Sequence, residues 1–269
     1  MSFAPRACVD GEVVPLSEAR VPVTDQGFAR GHGAVETIAV WDGAAFRLPD
    51  HLERLAASAE AILLPRPSLT TLEQDVTRVL DGVTGDAVVR IYVTASSARV
   101  VIVEGIPERP APSHLIPQVA PWVQPRADAL AAGAKTMSTL ANVLATKTAQ
   151  AAGGDDALLI STNGHVLEGP TFAVCWASDG VIHSPSHQLG LVDSVSQRLV
   201  LEIADAIGYR IQTGAYTLDD LGRADEVMAS STSRDLIAIR RVGEHVFDER
   251  TPTRDRINDE LWKVRRGRA

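Results

Sequence analysis

Apolar residues recur along this chain at two spacings, and each change of spacing marks an expected element boundary. Short apolar runs broken by Asp-Gly or Asn-Gly predict hairpins. They fall at Cys8-Val-Asp10-Gly11-Glu-Val, at Ile38 to Trp41 turning on Asp42-Gly43 into Ala44 to Leu48, and at Thr171 to Trp176 turning on Asp179-Gly180 into Val181-Ile182-His183. A fourth runs from Asp156 to Ser161, turns on Asn163-Gly164 with two positive-φ positions, and returns through His165 to Glu168. Ala87 to Thr94 and Val100 to Val103 predict two more strands. Helical spacing takes over at Leu52, Leu55, Ala56, Ala59, Ile62 and Leu63, where Asp50 and Glu53 form the pattern of a capping box. It returns at Leu140, Val143, Leu144, Ala145, Thr148 and Ala149, with Ser138 or Thr139 as the cap. A third such stripe, Leu199, Val200, Ile203, Ala204 and Ile207, ends at Gly208, and Thr253 to Ala269 reads as a last helix with a frayed basic end.

Strands interleaved with helices predict an α/β or α+β chain, and 269 residues suffice for two domains. The sharpest compositional shift is Gly105 to Pro117, with prolines at 107, 110, 112 and 117, which reads as a boundary. The expected division is 1–112, a linker at 113–123, and 124–269. A net charge of -8 argues against nucleic acid or an anionic membrane as partner, while leaving room for a locally positive pocket. No apolar stretch approaches the roughly 20 residues of a membrane span. Two cysteines and no leader pattern predict a reducing cytoplasm.

Candidate chemistry enters through the lysines. The 26 cationic side chains include only Lys135, Lys147 and Lys263 as lysines. Arginine cannot form a Schiff base, whereas a deprotonated lysine amine attacks an aldehyde. Lys263 lies in a basic run and Lys147 on the polar edge of a helical pattern. Lys135 follows Gly133-Ala134 just before that helix, where a side chain can reach a cavity. Glu168 falls at a strand end before the Gly169-Pro170 break, free to leave the sheet. The Ser194-Val195-Ser196-Gln197 turn opens a helix whose N-terminus favours an anion. His183 and His187 have zinc-like spacing, but Pro185 between them breaks the helix that spacing needs, so no metal is expected.

Lys135-Thr-Met-Ser-Thr-Leu-Ala-Asn, Asp156-Ala-Leu-Leu and Asn163-Gly-His-Val-Leu-Glu168-Gly-Pro-Thr together resemble the class IV aminotransferases, the fold type IV pyridoxal-phosphate enzymes. That family includes branched-chain and D-amino-acid aminotransferases and aminodeoxychorismate lyase. The likeness extends from the glycine-punctuated loop around Gly27, Gly31 and Gly33 to the strand, hydroxyl-rich turn and hairpin of Ala224 to Phe247. It implies an N-terminal α/β sandwich and a C-terminal pseudo-barrel, a homodimer, and pyridoxal 5'-phosphate as cofactor with Lys135 as catalytic lysine. Glu168 then pairs with the pyridine nitrogen. Arg54, in a Leu-x-x-His-x-x-Arg-Leu pattern, binds the phosphate with Val195, Ser196 and Thr232.

An amino donor and a keto acceptor are the implied partners, with aminodeoxychorismate lyase as the alternative and a scaffold without activity as a third reading. Five positions depart from the family pattern: Ser138, Ala173, Ser194, Gln197 and Ala95. The last stands where D-amino-acid aminotransferases carry a carboxylate-binding arginine, and Arg99 and Arg30 are both left open as substitutes.

Overall fold

A computed structural model describes residues 3–108, 110–120 and 133–267. The chain divides into two compact units, Met1–Glu108 with Gly133–Thr139, and Arg109–Ala132 with Leu140–Ala269. The expected division put Lys135 in the second domain, but its segment falls in the first unit. Much of the expected linker is strand, and its residues 121–123 lie outside the described residues.

The first unit holds β1 (Arg6–Val9), β2 (Glu12–Pro15), α1 (Gln26–Arg30), β3 (Gly33–Trp41), β4 (Ala44–Ala45), α2 (Leu48–Ala61), α3 (Leu69–Leu80), β5 (Ala87–Thr94) and β6 (Arg99–Glu104). Its six-stranded sheet is ordered β2-β1-β6-β5-β3-β4. The β1-β2 and β3-β4 hairpins turn on Asp-Gly pairs with both φ positive: 49° and 97° at Asp10 and Gly11, 51° and 83° at Asp42 and Gly43. In β3 the even positions Ala34, Ile38 and Val40 join Leu52, Leu55 and Ala59 of α2 in one core, as a strand's period of two requires. Glu36 occupies the same row.

Two expectations about α2 are corrected. The helix begins at Leu48, with Arg47 in left-handed conformation as its N-cap and no side-chain capping bond. Pro49 in the first turn lets the helix open before Asp50, so no capping box forms. At the other end Leu63 has φ 62° and is 72% exposed, because the chain has already left the helix.

The second unit holds β7 (His114–Val119), α4 (Leu140–Ala151), β8 (Asp156–Ile160), β9 (Ala173–Ser178), β10 (Val181–Pro185), α5 (Val195–Ala206), β11 (Arg210–Gly214), α6 (Leu218–Leu221), β12 (Glu226–Ser230), β13 (Ile237–Ile239), β14 (Arg241–Val242), β15 (His245–Val246) and α7 (Pro252–Arg265). Residues 268 and 269 of the expected tail lie outside the described residues. One sheet runs β11-β10-β9-β12-β13 and a second β15-β14-β7-β8. Leu115, Leu158 and Val242 from the second meet Trp176, Val227 and Ile239 from the first in a shared core, giving the expected curled pseudo-barrel. On β8, Ala157 and Leu159 face Ala145 and Ala149 of α4 while Leu158 and Ile160 enter that core.

The expected turn on Asn163-Gly164, before Glu168, departs from expectation. Only Gly164 takes positive φ, at 82°, and its N–H bonds the Ser161 carbonyl. The strands still return: Ile160 bridges Val166, and Leu159 donates to the Glu168 carbonyl at 2.9 Å. The expected stripe of α4 is buried only at Ala145 and Ala149, while Leu140, Val143 and Leu144 are exposed. Among the described residues no helix is long and apolar enough to cross a membrane.

Candidate active site

The six singled-out residues divide between the units, Lys135 and Arg54 in the first, Glu168, Val195, Ser196 and Thr232 in the second. In the first unit the segment around Lys135 runs as an extra edge beside the start of β3. The Lys135 carbonyl accepts from Val35 at 3.0 Å, Thr136 bridges Ala34, and Met137 donates to the Gly33 carbonyl at 2.9 Å. On its other side the Lys135 N–H donates to the Ser58 hydroxyl at 3.0 Å. Ser138 closes the segment by donating to the Gly31 carbonyl.

This close approach explains the glycines of the preceding loop better than turn geometry does. A Cβ on Gly31, whose φ is 68°, lands 2.5 Å from Ser138 Oγ, and one on Gly33 lands 2.9 Å from the Val93 carbonyl, with Met137 Sδ nearer still. Both positions must lack a side chain for the lysine segment to lie where it does.

Ser58 and Arg54 sit one turn apart on α2, and His51 a further turn back, on the face toward β3. Glu36 is fully buried and accepts from Arg54 through Nε to Oε2 at 2.8 Å and Nη2 to Oε1 at 2.5 Å. His51 Nδ1 lies 3.1 Å from Oε1, and the Thr37 N–H donates to the same oxygen at 2.7 Å. Burial alone would raise the Glu36 carboxyl. The His51 contact and the Arg54 guanidinium outweigh it and hold the group down at about 2. A bidentate pair of this kind fixes the guanidinium plane. Glu36, His51 and Ser58 were missed from the sequence, although each is a polar residue in an apolar row.

In the second unit Ser194 caps α5 by accepting from Gln197 N–H at 3.2 Å. Among the described residues no hydrogen bond from the Val195 or Ser196 N–H is seen, so the first turn presents two donors and the positive end of the helix dipole. Gln197, where the family pattern has arginine, is buried and holds this turn to the neighbouring strands. Its Nε2 donates to Ser184 Oγ at 3.3 Å, and its Oε1 accepts from Ser230 Oγ at 2.5 Å. Ser230 ends β12 two residues before Thr232, so the amide links the helix start to the hydroxyl-rich turn. That turn is held from behind by α7, where Asn258 exchanges two bonds with the Leu236 backbone and Arg265 donates to the Arg234 carbonyl. Burial pushes the nearby Cys175 thiol up to about 12 against the Gln197 bond, which makes it inert as a nucleophile. Glu168 precedes Gly169, whose missing Cβ admits the Phe172 ring, with Cε1 at 2.5 Å from where that Cβ would stand.

Of the two arginines left open for a substrate carboxylate, Arg99 is committed elsewhere. Its Nε bonds Asp75, fully buried and also held by Arg78 at 2.7 Å, and its N–H bonds Asp10. Arg30 stands exposed in the last turn of α1.

Each unit by itself carries donors suited to part of a phosphate-bearing aldehyde: the first a lysine clamped at both sides of its peptide and a guanidinium held in plane, the second two N–H groups at a helix start. The other lysines differ, since Lys147 is exposed on α4 and Lys263 is paired with Glu260 at 2.7 Å.

Comparison with known proteins agrees. Residues 33–242 match the family model for amino-transferase class IV. A putative branched-chain-amino-acid aminotransferase of Methanocaldococcus jannaschii is 26% identical, covering 90% of this chain and 89% of that protein. A bifunctional aminodeoxychorismate lyase / D-amino acid transaminase of Mycobacterium tuberculosis is 28% identical over 79% of this chain and 82% of its own length. In fold, the fold IV transaminase CpuTA1 of Curtobacterium pusillum superposes with a TM-score of 0.87 at 24% identity, over 95% of this chain and 98% of that one. The chain belongs to the class IV aminotransferases, a pyridoxal-phosphate-dependent family.

Proposed function

We propose that this protein uses pyridoxal 5'-phosphate to move an amino group between an amino acid or amine and a 2-keto acid, with Lys135 as the residue that holds the cofactor. The cofactor, when bound, supplies an aldehyde that condenses with amines and a ring that accepts electron density. The observation that carries the reading is the double clamp on the Lys135 peptide, from Ser58 on one side and Val35 on the other. A lysine with a fixed backbone swings its amine through a small arc, as a group that both binds an aldehyde and relays a proton must.

With the cofactor bound, Lys135 Nζ would hold it through its aldehyde carbon, the carbonyl oxygen leaving as water, and when freed the same amine would serve as the base that moves a proton at the substrate carbon. The Glu168 carboxylate holds a proton on the ring nitrogen by offering it a negative partner. The N–H groups of Val195 and Ser196, the Thr232 hydroxyl and the Arg54 guanidinium take the phosphate oxygens. Arg30 is the candidate for a substrate carboxylate. Leu140, Val143 and Leu144, exposed together on one face of α4, support a second copy of the chain as partner. Two buried free cysteines suit a reducing compartment such as the cytoplasm.

The test is to load the protein with pyridoxal phosphate and add amino donors without acceptor. An absorbance band that shifts stoichiometrically with donor and returns with a 2-keto acid supports the reading, and its absence in both wild type and Lys135→Ala sinks it. The lyase reading rests on the bifunctional relative. It requires release of pyruvate from aminodeoxychorismate with no lasting shift of the band.

A further inference from the structure

The buried face of α2 reads His51, Leu52, Leu55, Ala56, Ser58, Ala59. Ser58 is 3% exposed in a row that packing alone would fill with alanine or leucine. A buried hydroxyl without a partner is costly, so its retention calls for a bond that needs it. The bond in the structure is to the main-chain N–H of Lys135, 77 residues on in sequence, at 3.0 Å.

We propose that Ser58 is a positioning residue for Lys135: its hydroxyl holds the lysine peptide at the height on α2 from which the amine meets a bound aldehyde, one helical turn from Arg54. The inference rests on the reading of Lys135 given above. Three constraints converge on this short segment. Val35 fixes the Lys135 carbonyl and Gly33 accepts from Met137, so β3 sets the in-plane position. Neither bond stops the strand edge from pivoting about that line, because both lie on its β3 side. Ser58 is the hold on the opposite side. It acts on Lys135 itself, whereas the Ser138 bond to Gly31 lies three residues further on. Since Ser58 belongs to the same helix as Arg54, a shift of α2 moves the lysine hold and the guanidinium together. The span from phosphate to amine is then kept by a rigid element.

The experiment compares two ligands that share ring and phosphate but differ in need of the lysine. Pyridoxal phosphate bonds to Lys135, whereas pyridoxamine phosphate carries no aldehyde and binds without it. Dissociation constants for both are measured with purified apoprotein of wild type and Ser58→Ala, a helix-compatible change that leaves room. Ser58→Ala is expected to weaken pyridoxal phosphate about five-fold, the worth of one main-chain hydrogen bond, while pyridoxamine phosphate stays within about two-fold. Ser58→Cys, which keeps a weak acceptor, is expected to fall between. Equal weakening of both ligands, or of neither, overturns the proposal, because a merely structural hydroxyl cannot tell aldehyde from amine. If wild type shows no preference for the aldehyde and no borohydride-trapped adduct at Lys135, the underlying reading of the lysine fails instead, which is a separate and distinguishable result.

Discussion

Replacing Glu36 by glutamine keeps the shape of the side chain and removes its charge, and the structure sets both the size and the pH dependence of the effect. Glu36 is fully buried with His51 and Arg54 against it. Its carboxyl is held at about 2 against an ordinary 4.5. A depressed carboxylate stabilises the fold above its unfolded value and loses that contribution as pH falls through the folded one. The difference between 4.5 and about 2, at about 1.36 kcal/mol per pH unit, amounts to roughly 3 kcal/mol at neutral pH. Of this, roughly 1 kcal/mol is gone by about pH 3.5. The glutamine variant has no such proton to take up, and at neutral pH it leaves the Arg54 charge without its buried partner, a loss on the order of 3 to 5 kcal/mol. Urea unfolding of both proteins at neutral pH and near pH 3.5 is therefore expected to show a gap that narrows in acid, by roughly 1 kcal/mol. A gap that stays constant or widens would mean that the carboxylate is not held down by the His51 contact and the Arg54 guanidinium.

Lys135→Ala is expected to retain the fold and lose both the borohydride-trapped adduct and turnover, checked by circular dichroism, mass spectrometry and a donor assay. Gly33→Ala places a methyl 2.9 Å from the Val93 carbonyl and against Met137, so it is expected to displace the lysine segment. Its checks are a lower melting temperature, by about 4 °C or more, together with weakened uptake of pyridoxal phosphate. Gln197→Leu strands the Ser230 and Ser184 hydroxyls and is expected to cost about 1 to 3 kcal/mol in urea unfolding. Arg30→Ala and Arg99→Ala separate two roles. The first is expected to raise KM for carboxylate-bearing donors at unchanged stability, and the second to destabilise by leaving buried Asp75 with Arg78 alone of its two arginines, while KM stays in place.

The hairpins on Asp-Gly were legible because two positive φ values leave few residue choices, and α5 was legible because its apolar stripe, serine cap and Gly208 agree. The Asn163-Gly164 turn misled because its geometry needs one left-handed residue, and glycine alone supplies it. The capping box at Asp50 failed for a related reason. Pro49 and a left-handed Arg47 start the helix earlier, and a local pattern cannot register that the chain arrives from a hairpin. The candidate residues that carry chemistry were found as motifs, but the residues that hold two of them were not. Glu36, His51 and Ser58 are ordinary letters until β3 and α2 are laid face to face. Only then does the row Ala34, Glu36, Ile38 become a carboxylate inside a core, with His51 and Arg54 aimed at it. Such a placement is unfavourable for the fold alone, since an apolar residue of similar size at position 36 would leave nothing to desolvate. A buried charge that serves only stability should therefore be replaceable in pairs. If Glu36 and Arg54 can be exchanged together for apolar residues with the fold intact but the hold on phosphate lost, then the pair belongs to the site, and the sheet merely carries it.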